Sequence, residues 1–296
     1  MAQPKILVIV GPTASGKSDL AVRLAKKFNG EIISADSRQV YKELDIGTGK
    51  ITKQEKRGVP HYLLDVADPR KRFTVSDYKK LADDNIRYIV SCGKLPIIVG
   101  GTGFYIDVLT GAASFPDVPP NKLLRRKFDK LSKEMLFEML RAKDSRRARE
   151  IDPRNKVRLI RALEIIEKYG SVPQLGSSTS KYDFVFIGLV PTNLEQRIYD
   201  RLLKRIPGII RETRKLSFKR AYELGLEYRY TALYLKKKLS RKEMIEQLYT
   251  AIRQYAKRQM TWFKRNKKIR WFTLSAVEGF QPEEYKKIEK YVRSQL

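Results

Sequence analysis

Eight consecutive residues, Gly11-Pro-Thr-Ala-Ser-Gly-Lys-Ser18, carry the spacing G-x-x-x-x-G-K-[ST]. In such a loop the backbone N–H groups, backed by the positive end of a following helix, close around phosphate oxygens. Lys17 adds a point charge, and the Ser18 hydroxyl can ligate a magnesium ion. Gly11, Pro12, Thr13, Ala14, Ser15, Gly16, Lys17 and Ser18 therefore form a candidate polyphosphate cradle. Two further groups share this potential. Asp36-Ser-Arg-Gln-Val-Tyr41 offers an acid, an arginine and an amide in one short strip, and Gly100-Gly-Thr-Gly103 is a second glycine turn.

These groups need a scaffold, and the flanking residues supply it. Ile6 to Val10 is a β-branched apolar run that predicts a buried parallel strand, and Asp19 to Phe28 has helical spacing on one apolar face. Glu31-Ile-Ile-Ser-Ala35 and Leu95-Pro-Ile-Ile-Val99 predict two more strands, each ending at one of the candidate groups. In open α/β sheets ligands lie beyond the carboxyl ends of the strands, which brings Asp36 near the glycine loop. Pro60 to Asp65 reads as another short strand. Residues 74–92 read as a helix capped by Thr74. Past Pro116–Pro120 the pattern turns helical and basic. There a helix opening at Asp152 would carry Arg154, Arg158 and Arg161 on one face. Gly176–Ser180 reads as a flexible link, and Asp183–Val190 as a strand that rejoins the sheet. After it come helices at Leu194–Arg205, interrupted by Pro207-Gly208, at Glu212–Leu224 and at Arg241–Asn266, then a final helix at 283–296. The fold class expected is α/β, a P-loop NTPase-like parallel sheet core (1–116 and 183–296) with a helical C-terminal region and a helical basic insertion domain (117–182).

The 296 residues carry 62 Lys+Arg against 33 Asp+Glu, a formal net charge of +29. The excess is uneven. Residues 201–270 hold 22 basic and 5 acidic groups and residues 119–182 hold 17 and 8, whereas residues 1–118 hold 18 and 13. A uniform surface bias would spread evenly, so the concentration points to a polyanion larger than a nucleotide. No apolar run approaches 18 residues, so no membrane helix is expected. A strand starting at residue 5 leaves no room for a signal peptide, and a single cysteine, Cys92, excludes internal disulfides and zinc knuckles. A cytoplasmic setting fits, with Cys92 a packed thiol and His61, the only histidine, structural.

A phosphate loop alone suggests ATP or GTP binding and a kinase-like enzyme. The combination of motifs says something narrower. The loop at 11–18, Ser-Ala-Asp-Ser-Arg-Gln-Val-Tyr (34–41), Asp-Ile-Gly-Thr-Gly-Lys (45–50), Val-Gly-Gly-Thr-Gly-Phe-Tyr (99–105), Arg-Ala-Leu-Glu (161–164) and Ala-Lys-Arg-Gln-Met-Thr-Trp-Phe (256–263) occur in this order. The chain resembles the bacterial tRNA dimethylallyltransferases (tRNA isopentenyltransferases) over nearly its full length. The resemblance implies transfer of a dimethylallyl group from dimethylallyl diphosphate to N6 of adenosine 37 in the tRNA anticodon stem-loop, with Mg²⁺ as cofactor, by a monomer. It makes Asp36 the general base and Thr102 a residue of the reaction centre. Arg205 becomes the arginine on the diphosphate, with Arg201 one turn away as the alternative. Asp36, Ser37, Arg38 and Gln39 match the strip that holds the flipped adenine. Arg125, Arg158 and Arg161 match tRNA-contacting positions, as do Lys257, Arg258, Gln259 and Trp262 on the C-terminal motif.

The chain also departs from the family pattern. A histidine pair common in the family is His61-Tyr62 here, and the late Gly-Tyr motif reads Gly225-Leu-Glu-Tyr228. Three rival readings are an adenylate isopentenyltransferase making free cytokinins, a P-loop small-molecule kinase and a non-catalytic RNA-binding module. The first shares the loop and Asp36 but acts on a nucleotide and does not need the basic insertion and helices.

Overall fold

The computed structural model describes residues 3–116, 118–173, 180–276 and 279–296. It divides into two compact units, residues 1–110 with 179–296, and residues 111–178. The link expected at 176–180 lies, apart from Ser180, outside the described residues.

The first unit begins with β1 (Lys5–Val10), α1 (Lys17–Lys27), β2 (Gly30–Ser34), α2 (Lys53–Lys56), β3 (His61–Tyr62), α3 (Val75–Ser91), β4 (Leu95–Val99) and α4 (Gly103–Leu109). The second unit holds α5 (Lys122–Asp129), α6 (Lys133–Lys143), α7 (Ser145–Glu150) and α8 (Lys156–Tyr169). The first then resumes with β5 (Asp183–Pro191), α9 (Leu194–Arg214), α10 (Phe218–Leu224), α11 (Leu226–Leu235), α12 (Arg241–Phe263), β6 (Arg270–Leu274) and α13 (Pro282–Gln295).

The strands form one parallel sheet in the order β3-β2-β4-β1-β5-β6. Alternate residues of β1 serve opposite faces, as the strand period of two requires. Ile6, Val8 and Val10 pack with Tyr78, Ala82, Ile86 and Ile89 of α3, whereas Leu7 and Ile9 pack with α1 and with Ile288 and Val292 of α13. Burial on both faces is why the strands read as continuous apolar runs. Register sets the site: Ile9 pairs with Val99, and Val99 with Ser34, so β1, β4 and β2 end level with one another. The glycine loop, the second glycine turn and Asp36 all start from that common edge.

Several elements differ from the sequence reading. α9 runs unbroken through Pro207, because Ile198, Leu202, Ile206 and Ile209 form one buried stripe against Met244, Leu248, Ile252 and Ala256 of α12. That tertiary burial outweighs the loss of one helical hydrogen bond at the proline. The helix expected from Glu212 is the end of α9, followed by the short α10 with Ser217 as its cap. β3 is only two residues long, since Leu63 and Asp65 take positive φ values of 62° and 59°. β6 has no counterpart in the sequence reading: the exposed Arg270 and Thr273 interrupt its apolar signal. α12 stops at Phe263, three residues before Asn266. In the second unit α8 starts after Asn155, whose side chain accepts from the Arg158 N–H at 3.2 Å, so Arg154 precedes the helix. Cys92 is exposed at the end of α3, not packed.

Candidate active site

The glycine loop follows β1 as expected. Gly16, at φ 86°, is the left-handed cap from which α1 starts, a conformation glycine adopts without steric cost. Ser15 is buried. Lys17 folds back on the loop, donating to the Pro12 carbonyl at 2.5 Å and to Ser15 Oγ at 3.3 Å. Burial lowers its pKa to about 7. The Asp36 carboxylate opposes that shift and the Arg201 guanidinium adds to it.

Asp36 stands beyond the end of β2. Its Oδ1 accepts the N–H groups of Arg38 (2.8 Å) and Gln39 (3.3 Å), an Asx turn that fixes the carboxylate. Its second oxygen has no partner among the described residues. Thr102 joins the second glycine turn to this strip: its backbone N–H donates to the Ala35 carbonyl at 3.1 Å, and its Oγ1 accepts the Ser37 N–H at 3.0 Å. The Gln39 amide donates to the carbonyls of Thr48 (3.4 Å) and Gly49 (3.3 Å). Asp36, Arg38, Gln39, Lys17, Ser18 and Arg201 all line one cleft of about 740 Å³. That volume is in the range of pockets that enclose a small-molecule ligand.

Helix α12 braces both glycine turns. Gln259, buried, accepts the Thr13 N–H at 2.9 Å and donates to the Gly101 carbonyl at 2.8 Å. Trp262 donates from its indole nitrogen to Asp107 at 2.9 Å, meets Phe104 edge-on and carries the Arg265 guanidinium 4.0 Å above its ring. Lys257 and Arg258 are exposed.

Residues 39–266 match the IPP transferase family, and residues 4–73 match isopentenyl transferase. The chain belongs to the IPP transferase family. It is similar to a tRNA dimethylallyltransferase of Thermoanaerobacter sp. (strain X514), 40% identical over 99% of this chain and 98% of that one. Among solved structures it is similar to the tRNA isopentenylpyrophosphate transferase of Bacillus halodurans, with TM-score 0.74 and 35% identity over 99% and 96% of the two chains. A structure titled as a eukaryotic dimethylallyltransferase acting on tRNA gives TM-score 0.80 at 25% identity, over 98% of this chain and 80% of that one.

Within this IPP transferase fold the two candidate arginines separate. Arg205 donates to the carbonyls of Ile46 and Gly47, each at 2.5 Å, and is not among the described residues that line the cleft. Arg201 is the one that lines it, with one bond to the Gly49 carbonyl at 3.2 Å; partial desolvation beside the cleft and the charge of Arg205 lower its pKa to about 10, although the side chain keeps solvent-exposed surface. Two of the Arg205 donors, Nε and Nη2, are thus engaged with protein backbone. The Gln259 amide is likewise engaged with the two glycine turns. In the second unit Arg125 makes a paired contact with the buried Glu164 (2.7 and 2.8 Å), and Arg161 donates to the Val118 carbonyl at 2.8 Å. Arg158 is exposed.

Glu212 and Glu227 escape sequence reasoning as site residues, and Tyr228 enters it only as the end of the departing Gly-Tyr motif. Glu227 and Tyr228 line the cleft, and Glu212 is buried behind its wall. Burial raises the Glu227 pKa against the pull of Arg205. A signal for two of them was present: Glu212 and Glu227 are among only five acidic residues in the basic segment 201–270.

Among the described residues no helix is long and apolar enough to cross a membrane.

Proposed function

We propose that this protein transfers the dimethylallyl group of dimethylallyl diphosphate to N6 of adenosine 37 in the tRNA anticodon stem-loop and releases diphosphate. The observation that carries this reading is the convergence of the Asp36 carboxylate, the glycine loop and Arg201 in one cleft. A carboxylate with one oxygen pinned and the other open to the cleft can take the proton of an exocyclic amine as the new bond forms.

The adenine leaves its stack to reach the cleft, a cost of a few kcal/mol for base extrusion. Gln39, Ser37 and Arg38 line its side of the site. As the N6 lone pair forms the new N–C bond to the allylic carbon, the C–O bond breaks and its electron pair leaves with diphosphate. The N6 proton passes to Asp36, which is fixed by its Asx turn. Loop N–H groups, Lys17 and Arg201 face the oxygens that gain charge. Binding an anion there favours the charged form of Lys17, reversing its depressed pKa. Among the described residues no group of three or more His, Cys, Asp or Glu could hold a metal ion. A magnesium ion would therefore take the Ser18 hydroxyl and the substrate's own oxygens as ligands. These are the hard donors it prefers, and the ion would supply further positive charge. A tRNA substrate implies a cytoplasmic enzyme, and a monomer of 34.4 kDa is the expected species by light scattering.

The test is mass spectrometry of tRNA nucleosides after incubation with dimethylallyl diphosphate and Mg²⁺. N6-dimethylallyladenosine at position 37 is expected. Rapid labelling of AMP with none of tRNA, or ATP consumption with a phosphorylated product, would overturn the reading.

A further inference from the structure

The segment 45–49 forms one wall of the cleft, through Gly47, Thr48 and Gly49, yet it belongs to no helix or strand. Its shape is imposed from outside by one face of α9. At about 100° per residue, Arg201, Arg205, Gly208 and Glu212 fall within roughly 60° of one another on that helix. They act in order along the segment. Arg201 takes the Gly49 carbonyl, and Arg205 takes those of Ile46 and Gly47. Gly208 leaves room for Ile46, where a Cβ would come within 2.4 Å of the Ile46 side chain. Glu212 closes the rail. Its Oε1 accepts the N–H groups of Asp45 (2.9 Å) and Ile46 (2.6 Å), and its Oε2 accepts the Gly47 N–H (2.8 Å) and the Tyr228 hydroxyl (2.9 Å). Cations hold the carbonyls of the segment and a buried carboxylate holds its amides.

We propose that Glu212 is a positioning residue for the transfer reaction, which sets the cleft wall and, through it, the registry of Arg201 and Gln39 with Asp36. The contacts run without a gap. Glu212 and Arg205 shape 45–47, Gln39 donates to the carbonyls of Thr48 and Gly49, and the Gln39 N–H is held by Asp36 Oδ1. All four lone-pair sites of the carboxylate are used, so a carboxamide of the same shape cannot replace it: its NH₂ would face N–H or O–H donors. Glu212 touches no substrate. Its effect is to hold the wall in one geometry, and small displacements of a preorganised site can cost up to about a hundredfold in rate.

The proposal rests on the prenyl-transfer reading, and its test separates the two. Amide hydrogen exchange on the wild-type protein should find Asp45, Ile46 and Gly47 protected although they lie outside regular structure. Fast exchange there would overturn the clamp whatever the activity. In Glu212→Gln that protection should fall selectively, inorganic diphosphate should bind about tenfold more weakly, and kcat should drop about tenfold or more, while the Kd for tRNA stays within about twofold. Arg205→Met, which removes the carbonyl-binding half, should change the same readouts in the same direction if Glu212→Gln does not fold. A Glu212→Gln protein with a lowered Tm but unchanged diphosphate affinity, kcat and amide exchange would reduce Glu212 to a packing role and overturn the proposal. A wild-type protein that prenylates no tRNA would instead overturn the functional reading, leaving the exchange and diphosphate measurements to judge the clamp.

Discussion

At the scale of single residues, two side chains carry testable chemistry. Asp36 presents one oxygen to its own turn and one to the cleft. Asp36→Ala should lower the single-turnover transfer rate by about 10²–10⁴, the usual worth of a general base, with tRNA binding retained in a filter assay. Lys17 makes a prediction about pH. Its folded pKa lies at about 7, below the ordinary 10.5. Between those values the unfolded chain binds more protons than the folded one, so stability rises with pH through that window. Lys17 therefore costs the ligand-free protein most at pH 7 and below. Lys17→Met should raise Tm there, with the gain vanishing towards pH 10.5. Melting curves of both proteins across that range check it, and a gain independent of pH would contradict it. Saturating inorganic diphosphate should reverse the difference at pH 7, because the anion binds the charged lysine.

At the scale of elements, the site is an agreement between strand ends and two helices. β1, β4 and β2 end level, and α9 and α12 hold what emerges from them. The Gln259 amide is the pin between the glycine loop and the second glycine turn. Gln259→Ala leaves the Thr13 N–H and the Gly101 carbonyl without their partner, at a cost of about 1–3 kcal/mol. Chemical denaturation should show that loss, and isothermal titration should show weaker binding of inorganic diphosphate. An unchanged diphosphate affinity would mean that the loop holds its shape without α12. The elements most readable in the sequence were those whose burial is simple. β1, α1, β4 and α3 with its Thr74 capping box all carry a regular apolar period. β6 and the passage of α9 through Pro207 were not readable, because neither depends on a local pattern. β6 exists because β5 offers it an edge, and α9 continues because α12 covers its stripe.

At the scale of the whole molecule, charge is the dominant feature. A formal net charge of +29, concentrated in residues 119–182 and 201–270, should make tRNA affinity strongly dependent on salt. Between 50 and 200 mM KCl the Kd should rise at least about tenfold, and by about 10³ if six phosphates are neutralised. Binding to inorganic diphosphate should vary far less over the same range. Fluorescence anisotropy with labelled tRNA measures the slope, and a flat one would argue against a polyanion partner.

The glycine loop, the Asp36 strip, the second glycine turn and the basic C-terminal half are legible in the amino-acid sequence because each depends on residue types at short spacing. The family follows from their order along the chain. What only the tertiary structure decided is which charged side chains face the cleft and which hold the protein together. Arg201 and Arg205 are four residues apart on one helix face, and nothing local distinguishes them. The carbonyls of Ile46 and Gly47, more than 150 residues away in sequence, engage Arg205 and leave Arg201 lining the cleft. Glu212 is one glutamate in a basic helix until the fold brings three backbone N–H groups and a tyrosine hydroxyl to its carboxylate. Short-range spacing specifies a motif, but a buried charge acquires its role from partners that the fold alone brings within hydrogen-bonding distance.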